Sequence, residues 1–503
     1  MMLDQIPQVI ERAKLFPDRT AIIDENGKYS YQQLTDEAKK FASYLLENQN
    51  DLKEARVAFM IPPGFEYVAA QWGIWLAGGI AVPICVTHPL PEIEYVLQDT
   101  EAELLIAHSQ FEVELRKLAT NHKIRFIVTS KIRNTKENLL SKIDKNRRAM
   151  ILYTSGTTSK PKGVVTTHRN IEAQITCLIE AWEWTPDDHI LHVLPLHHTH
   201  GIINALSCAL WSGATCEFLP KFEVDLVWNR FIKGGLTLFM AVPTVYIKLI
   251  DTWEKANQVK RKRMSEACKN MRLMVSGSAA LPVHVFEKWK GISSHNLLER
   301  YGMTEIGMAL SNPLHGERMP GTVGVPLPGV TVNLFDESNN EIIKEGESGE
   351  ICIKGENVFK EYWKKHESTK EAFHKNWFCT GDVAVIENGY FRILGRSSVD
   401  IIKTGGYKVS ALEIEEVLRN HPAISDCCVV GVEDPEWGEK VSVAVLLGDR
   451  FQLSLNQLRI WCKEKMASYK IPTRLVILEE MPRNVMGKVT KPAIKQLFIK
   501  QQK

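Results

Sequence analysis

The sequence predicts an α/β protein in two parts: a large N-terminal domain of parallel sheets flanked by helices plus a small β lobe, followed by a small mobile α+β C-terminal domain. Three observations carry this expectation. Strand-length apolar runs alternate with helical patterns through the first part of the chain, the character changes near residue 323 to short strands with Gly and Asn turns, and a fresh α+β pattern starts after residue 396. Alternating strands and helices require crossover connections, which lay helices on both faces of a parallel sheet.

Taken in order, strands are expected at 56–61, 80–86, 104–107, 126–128, 190–194, 236–242 and 273–275, with helices at 31–46, 171–182 and 245–255. The stretch 67–91 contains no Asp, Glu, Lys or Arg and is long enough to suggest a membrane span. Gly78, Gly79 and Pro83 argue against one: a helix through Trp72 and Leu76 ends at the glycines, and a buried strand follows. The β lobe is read at 330–335, 349–354, 383–386 and 390–394. The last part holds helices at 412–420 and 455–466 and strands at 427–432 and 440–447. The domains are therefore 1–396 and 397–503. The basic segment 131–148 reads as a solvated linker.

Lys and Arg number 62 against 60 Asp and Glu, a formal charge of +2, so nothing in the overall charge suggests nucleic acid or an anionic membrane as partner. Ten cysteines occur without a Cys-x-x-Cys pair, and Cys427-Cys428 are adjacent, which points to a reducing compartment. The first twenty residues include Asp4, Glu11, Lys14 and Asp18, lack the apolar core of a signal peptide, and are poor in Arg and Ser. A cytoplasmic location is expected, with the mitochondrial matrix as the alternative.

The densest chemical signal is residues 151–163, ILYTSGTTSKPKG. Apolar residues flank a loop with the hydroxyls of Thr154, Ser155, Thr157 and Thr158 among others, Gly156, and two ammonium groups (Lys160, Lys162). Small residues let backbone N–H groups approach phosphate oxygens while the lysines offset their charge. The spacing is not that of a Walker loop. The string resembles the nucleotide loop of the adenylate-forming enzymes, which include acyl-CoA synthetases, luciferases and peptide-synthetase adenylation domains. Further matches follow in order: LPLHHTHG at 194–201, VSGSAALP at 275–282, ERYGMTE at 299–305, WFCTGD at 377–382, GRSSVDIIKTGGYKV at 395–409 and PRNVMGK at 482–488.

This resemblance implies ATP, Mg²⁺ and CoA as reactants and assigns roles by position. The loop residues hold phosphates, Tyr301 stacks on adenine, Thr304 contacts the α-phosphate and Glu305 holds Mg²⁺, for which a single carboxylate plus phosphate oxygens suffices. Asp382 and Arg396 take the ribose, and Asp400 is the hinge of a small domain that rotates between half-reactions. Gly406 and Tyr407 line the pantetheine tunnel. Lys488 supplies the charge that stabilises adenylation, an effect commonly worth roughly 10²–10³ in rate. His198 is the gate beside the acyl and CoA pockets. A zinc site among His189, His192, His197, His198 and His200 is set aside, since no Cys or carboxylate ligand stands nearby in the chain.

Short stretches resemble the malonyl-CoA synthetase branch in particular. A dicarboxylate needs its second charge satisfied in a small pocket. Lys248, His200 and Ser278 are expected to do so, Lys248 standing where bacterial members carry Arg; Arg272 is read as structural. Ser159 departs from the usual Gly of the loop. The alternatives are a short- or medium-chain monocarboxylate ligase and a non-catalytic nucleotide-binding homologue.

Overall fold

Runs of aliphatic residues become the buried strands of two mainly parallel sheets. The computed structural model describes residues 6–132, 140, 142–154, 160–342, 344–448, 450–483 and 489–500. The chain divides into two compact units, Met1–Val332 with Ile353–Phe378, and Asn333–Cys352 with Cys379–Lys503.

In the first unit, a nine-stranded sheet runs Val325–Pro326, Gly307–Ser311, Leu298–Met303, Leu273–Ser276, Leu238–Ala241, His189–His192, Thr215–Phe218, Thr20–Asp24, Gly27–Ser30. A seven-stranded sheet runs Glu361–Tyr362, Lys162–Thr167, Arg148–Thr154, Ile80–Pro83, Arg56–Met60, Leu104–Ala107, Arg125–Val128. Their centres are parallel, as the strand–helix alternation requires. Each parallel core then meets an antiparallel hairpin, 298–303 with 307–311 and 148–154 with 162–167. The connections of these two hairpins are where the phosphate and metal residues are expected, so the change of direction positions the site.

Helix boundaries follow local chemistry. Tyr31–Leu46 begins at a capping box in which Ser30 Oγ accepts from the Gln33 N–H at 3.2 Å and Gln33 Oε1 accepts from the Ser30 N–H at 2.7 Å. Its inner face buries Tyr31, Leu34, Ala38, Phe41 and Leu45. Phe65–Leu76 followed by Ile80–Pro83 accounts for residues 67–84 as core, while 85–91 lead out to the surface. Among the described residues no helix is long and apolar enough to cross a membrane. The basic segment ends less solvated than expected: Arg147 pairs with Asp51 at 2.8 Å, and Arg148 with Glu54 and Glu361, both at 2.8 Å.

The second unit holds the antiparallel pair Trp377–Glu387 and Tyr390–Arg396 over residues 379–396, and a sheet ordered Tyr407–Ser410, Ile401–Thr404, Gly438–Leu447, Ile424–Asp434. The sequence pattern did not reveal Arg474–Leu478, which lies parallel to Gly438–Leu447, nor the helix Lys491–Lys500. Alternation places Cys427 in one apolar layer with Val429 and Leu458, and Cys428 in the other with Val430 and Phe498. The two neighbouring thiols thus face opposite sides of one sheet.

Candidate active site

Thr154 closes the strand Arg148–Thr154 directly opposite Lys162, its Oγ1 donating to the Lys162 carbonyl at 3.5 Å. Ser155, Gly156, Thr157, Thr158 and Ser159 lie outside the described residues. Both ends of this loop are anchored: the Tyr95 hydroxyl donates to the Pro161 carbonyl at 2.7 Å, and the Tyr153 hydroxyl to Asp99 at 2.7 Å.

Tyr362 connects this loop to the second hairpin. The Lys162 ammonium stands 4.9 Å from the centroid of its ring, and its hydroxyl donates to Glu305 Oε1 at 2.8 Å. Glu305 is buried and follows Thr304 in the tight turn between Leu298–Met303 and Gly307–Ser311. Tyr301 lies at the buried end of the first of these strands. A cation, a carboxylate, a hydroxyl and an aromatic face are thereby placed on two turns of one unit. Hard oxygen donors of this kind suit Mg²⁺ bound together with phosphate. Tyr362 was not anticipated, because its position depends on the edge strand Glu361–Tyr362 pairing with Val164 and Val165, a long-range contact.

A second cluster sits on the same strand. Arg300 is 2% exposed, and its Nη2 donates to Ser278 Oγ at 3.3 Å. Ser278 Oγ also lies 3.3 Å from His200 Nδ1. Nε and Nη1 of Arg300 and Nε2 of His200 have no hydrogen-bond partner among the described residues. Burial brings the Arg300 guanidinium down to about 9, against the pull of Glu299, so it remains charged at neutral pH. Burial, with the Arg300 charge next in importance, holds His200 well below the usual imidazole range and therefore neutral. Gly277 makes room: a Cβ there would fall 2.5 Å from Arg300 Cζ. Ser278 is held at φ 67°, a left-handed conformation that is costly for a residue with a side chain.

His200 opens a π-helix, His200–Ser207, a form that needs tertiary support and is frequent at functional sites. His198 precedes it, its ring centroid 4.0 Å from that of His197 with the planes tilted by 47°. Of the remaining histidines, His189 pairs with Glu217 at 2.8 Å and His192 Nε2 lies 3.0 Å from the Gly201 carbonyl. Lys248 stands on the exposed side of the helix Pro243–Lys255, its ammonium 5.7 Å from the Phe222 ring centroid. The cation that touches Ser278 is Arg300, which sequence reasoning passed over. An Arg close to the apolar Leu297, Leu298 and Tyr301 was the available signal. Arg272 forms a two-pronged pair with Asp188 at 2.7 and 2.6 Å, the structural role expected of it.

In the second unit, Asp382 is buried opposite Arg396, whose Nε reaches Asp382 Oδ1 at 3.0 Å. Asp400 accepts from the Arg396 N–H at 2.9 Å and pairs with Lys491 at 2.6 Å. Gly405 and Gly406 form the two-residue turn of the hairpin Ile401–Thr404/Tyr407–Ser410, with φ of 54° and 84°, the positive values a primed turn requires. Tyr407 is exposed and stacks on Tyr469 at 4.2 Å. Lys488 lies outside the described residues.

Comparison with known proteins is consistent over the whole length. A family profile described as AMP-binding enzyme matches residues 9–363, and one described as AMP-binding enzyme C-terminal domain matches 413–488. The chain is 45% identical to a protein named malonate–CoA ligase ACSF3, mitochondrial, from Xenopus laevis, covering 99% of this chain and 92% of the relative. Among solved structures it resembles ATP-bound MatB from Rhodopseudomonas palustris, with TM-score 0.90, 30% identity, and coverage of 99% and 100%. It also resembles o-succinylbenzoate CoA synthetase from Bacillus subtilis in complex with ATP and magnesium ion, with TM-score 0.85, 26% identity, and coverage of 98% and 99%.

Proposed function

We propose that this chain, which belongs to the AMP-binding enzyme family, is an ATP-dependent acid–thiol ligase that makes malonyl-CoA, with methylmalonate as a second substrate. The observation that carries the choice of acid is the buried Arg300–Ser278–His200 cluster. A guanidinium shut away from water with two nitrogens unsatisfied is costly by several kcal/mol unless an anion joins it. The distal carboxylate of a short diacid meets that need; a monocarboxylate does not. An added methyl at C2 discriminates weakly, by about 1–3 kcal/mol. The relative named malonate–CoA ligase supports the same acid.

In the first half-reaction the other carboxylate of malonate attacks the α-phosphorus of ATP in line, the bond to pyrophosphate breaks, and malonyl-AMP forms. Thr154 with Ser155, Gly156, Thr157, Thr158 and Lys162 holds the phosphates. Tyr301 takes the adenine face, Thr304 the α-phosphate, Asp382 and Arg396 the ribose. Mg²⁺ bound through Glu305 would neutralise phosphate charge. Lys488 places positive charge at the reacting oxygens. In the second half-reaction the CoA sulfur attacks the acyl carbonyl, AMP leaves with the electron pair of the broken anhydride bond, and the thiol proton passes to solvent.

The two steps need different groups at one carbonyl, so residues 397–503 are proposed to turn about Asp400, exchanging Lys488 for a tunnel lined by Gly406 and Tyr407 with His198 as its gate. Of the two cations considered for the distal carboxylate, Arg300 takes the contact, with His200 and Ser278; Lys248 faces solvent. The relatives' names favour the mitochondrial matrix over the cytoplasm as the site of action. Pyrophosphate release with ATP and CoA, measured over malonate, methylmalonate, succinate, acetate and butyrate, tests the assignment. Malonate should lead by at least an order of magnitude, and preference for a monocarboxylate would overturn it.

A further inference from the structure

The strand Ile80–Pro83 runs into a loop carrying Cys85 and His88, and His189–His192 runs into the loop carrying His197. These strands belong to different sheets of the first unit, yet their loops converge. One ligand atom from each of Cys85, His88 and His197 lies within 4.8 Å of the other two, the one such group of three among the described residues. The His88 and His197 rings meet edge-on with centroids 5.5 Å apart. All three side chains are half-buried, reachable from solvent but screened from it. At the rim, Glu92 Oε2 lies 3.6 Å from His88 Nδ1, the carboxylate–imidazole contact that commonly orients a ligating histidine.

One sulfur and two imidazole nitrogens form a donor set for a borderline-soft ion, and a poor one for Mg²⁺, which seeks oxygen. A tetrahedral zinc centre, with Zn–S about 2.3 Å and Zn–N about 2.0–2.1 Å, brings such atoms to roughly 3.5 Å from one another. The cluster therefore needs a closure of about 1 Å, a side-chain adjustment. We propose that Cys85, His88 and His197 form a binding site for one thiophilic divalent cation of the zinc class, separate from Glu305, with a fourth position open to water or a ligand. Setting zinc aside for want of a Cys or carboxylate nearby in the chain overlooked Cys85, which the chain places more than a hundred residues from His197. The site joins two loops, and the His197 ring lies against that of His198 with centroids 4.0 Å apart, so an ion there fixes the segment leading into the π-helix.

Titration of the chelator-treated full-length protein with Co²⁺ tests this directly. One equivalent should produce a near-ultraviolet thiolate-to-cobalt charge-transfer band with strong visible absorption of a tetrahedral centre, and Zn²⁺ should bleach both. Cys85→Ser should abolish the charge-transfer band. His88→Ala and His197→Ala should each weaken affinity roughly 10–100-fold or more. Circular dichroism reports whether each variant is folded; should Cys85→Ser not be, alkylation of Cys85 in the folded parent must remove the band in its place. Absence of the band in the parent, its persistence after loss of the Cys85 thiol, or unchanged affinity in both histidine variants would overturn the proposal.

Discussion

Arg300 and Arg396 occupy opposite electrostatic situations. Arg396 is partly exposed, and its Nε meets the carboxylate of Asp382 at 3.0 Å. Arg300 is buried, and its recorded hydrogen bond is to an uncharged hydroxyl at 3.3 Å. A cation already facing a carboxylate has little left to offer an anion, but the pair can present a fixed acceptor to neutral hydroxyls such as those of ribose. A buried cation whose hydrogen-bond partner is neutral, and on which Glu299 acts through space, is suited to a ligand that brings a carboxylate into contact. The difference supports the proposal that the sugar goes to one arginine and the acid to the other.

Substitution at Arg300 should break the comparison hardest. Arg300→Gln is expected to lower kcat/KM for malonate by roughly 10²–10³, since removing one partner of a buried charge contact costs on the order of 2–5 kcal/mol, while KM for ATP stays within about twofold. Equal losses for malonate and butyrate would show that the charge is structural. Asp382→Asn should do the reverse, raising KM for ATP about tenfold, in line with a hydrogen bond to a charged group, and leaving the preference for malonate intact. Kinetics at fixed malonate with varied ATP read this out.

A third case sharpens the contrast, because Cys85 is an anion stabilised from within. Burial pushes its thiol up, but hydrogen bonds from His197 and His88 and the charge of His197 outweigh it and bring the thiol down to about 5. Burial instead holds Cys177, Cys268 and Cys428 up at about 12. The thiolate fraction of Cys85 therefore rises as pH climbs through about 5 and is nearly complete at neutrality. Iodoacetamide at mildly acidic pH should label Cys85 ahead of the others, as peptide mass mapping would show; a rate that rises only near pH 9 would contradict the contact with the two imidazoles. The smallest effect is expected at Lys248. Lys248→Ala should change malonate kcat/KM by less than about fivefold, the range of exposed charge contacts, and a collapse of malonate turnover would transfer the acid-binding role from Arg300 to it.

The elements that were legible owe their shape to local chemistry. Tyr31–Leu46 is bounded as its capping box dictates, and the strands Arg148–Thr154 and Lys162–Thr167 stand where the apolar flanks of the polar stretch foretold them. What escaped reading depends on distant partners. Tyr362 matters through Lys162 and Glu305, and Arg300 has meaning only once Gly277 and Ser278 are seen against it. The Cys85–His197 encounter joins loops from two sheets, which no periodicity encodes. The π-helix at His200–Ser207 was hidden for a related reason: its apolar run fits an ordinary helix equally well, and only the surrounding packing selects the wider winding.

The bonds around Asp400 give the proposed pivot a lopsided character. One carboxylate oxygen grips Lys491, three positions beyond Lys488, and the other receives the backbone amide of Arg396. Swivelling at this residue can preserve the first grip, which travels with the rotating segment, and must give up the second. That amide is not the joint's sole restraint on the stationary side: the Asp400 N–H donates to the Arg396 carbonyl at 2.8 Å and Arg392 pairs with Glu413 at 2.7 Å, so a swivel there must loosen a small set of bonds together.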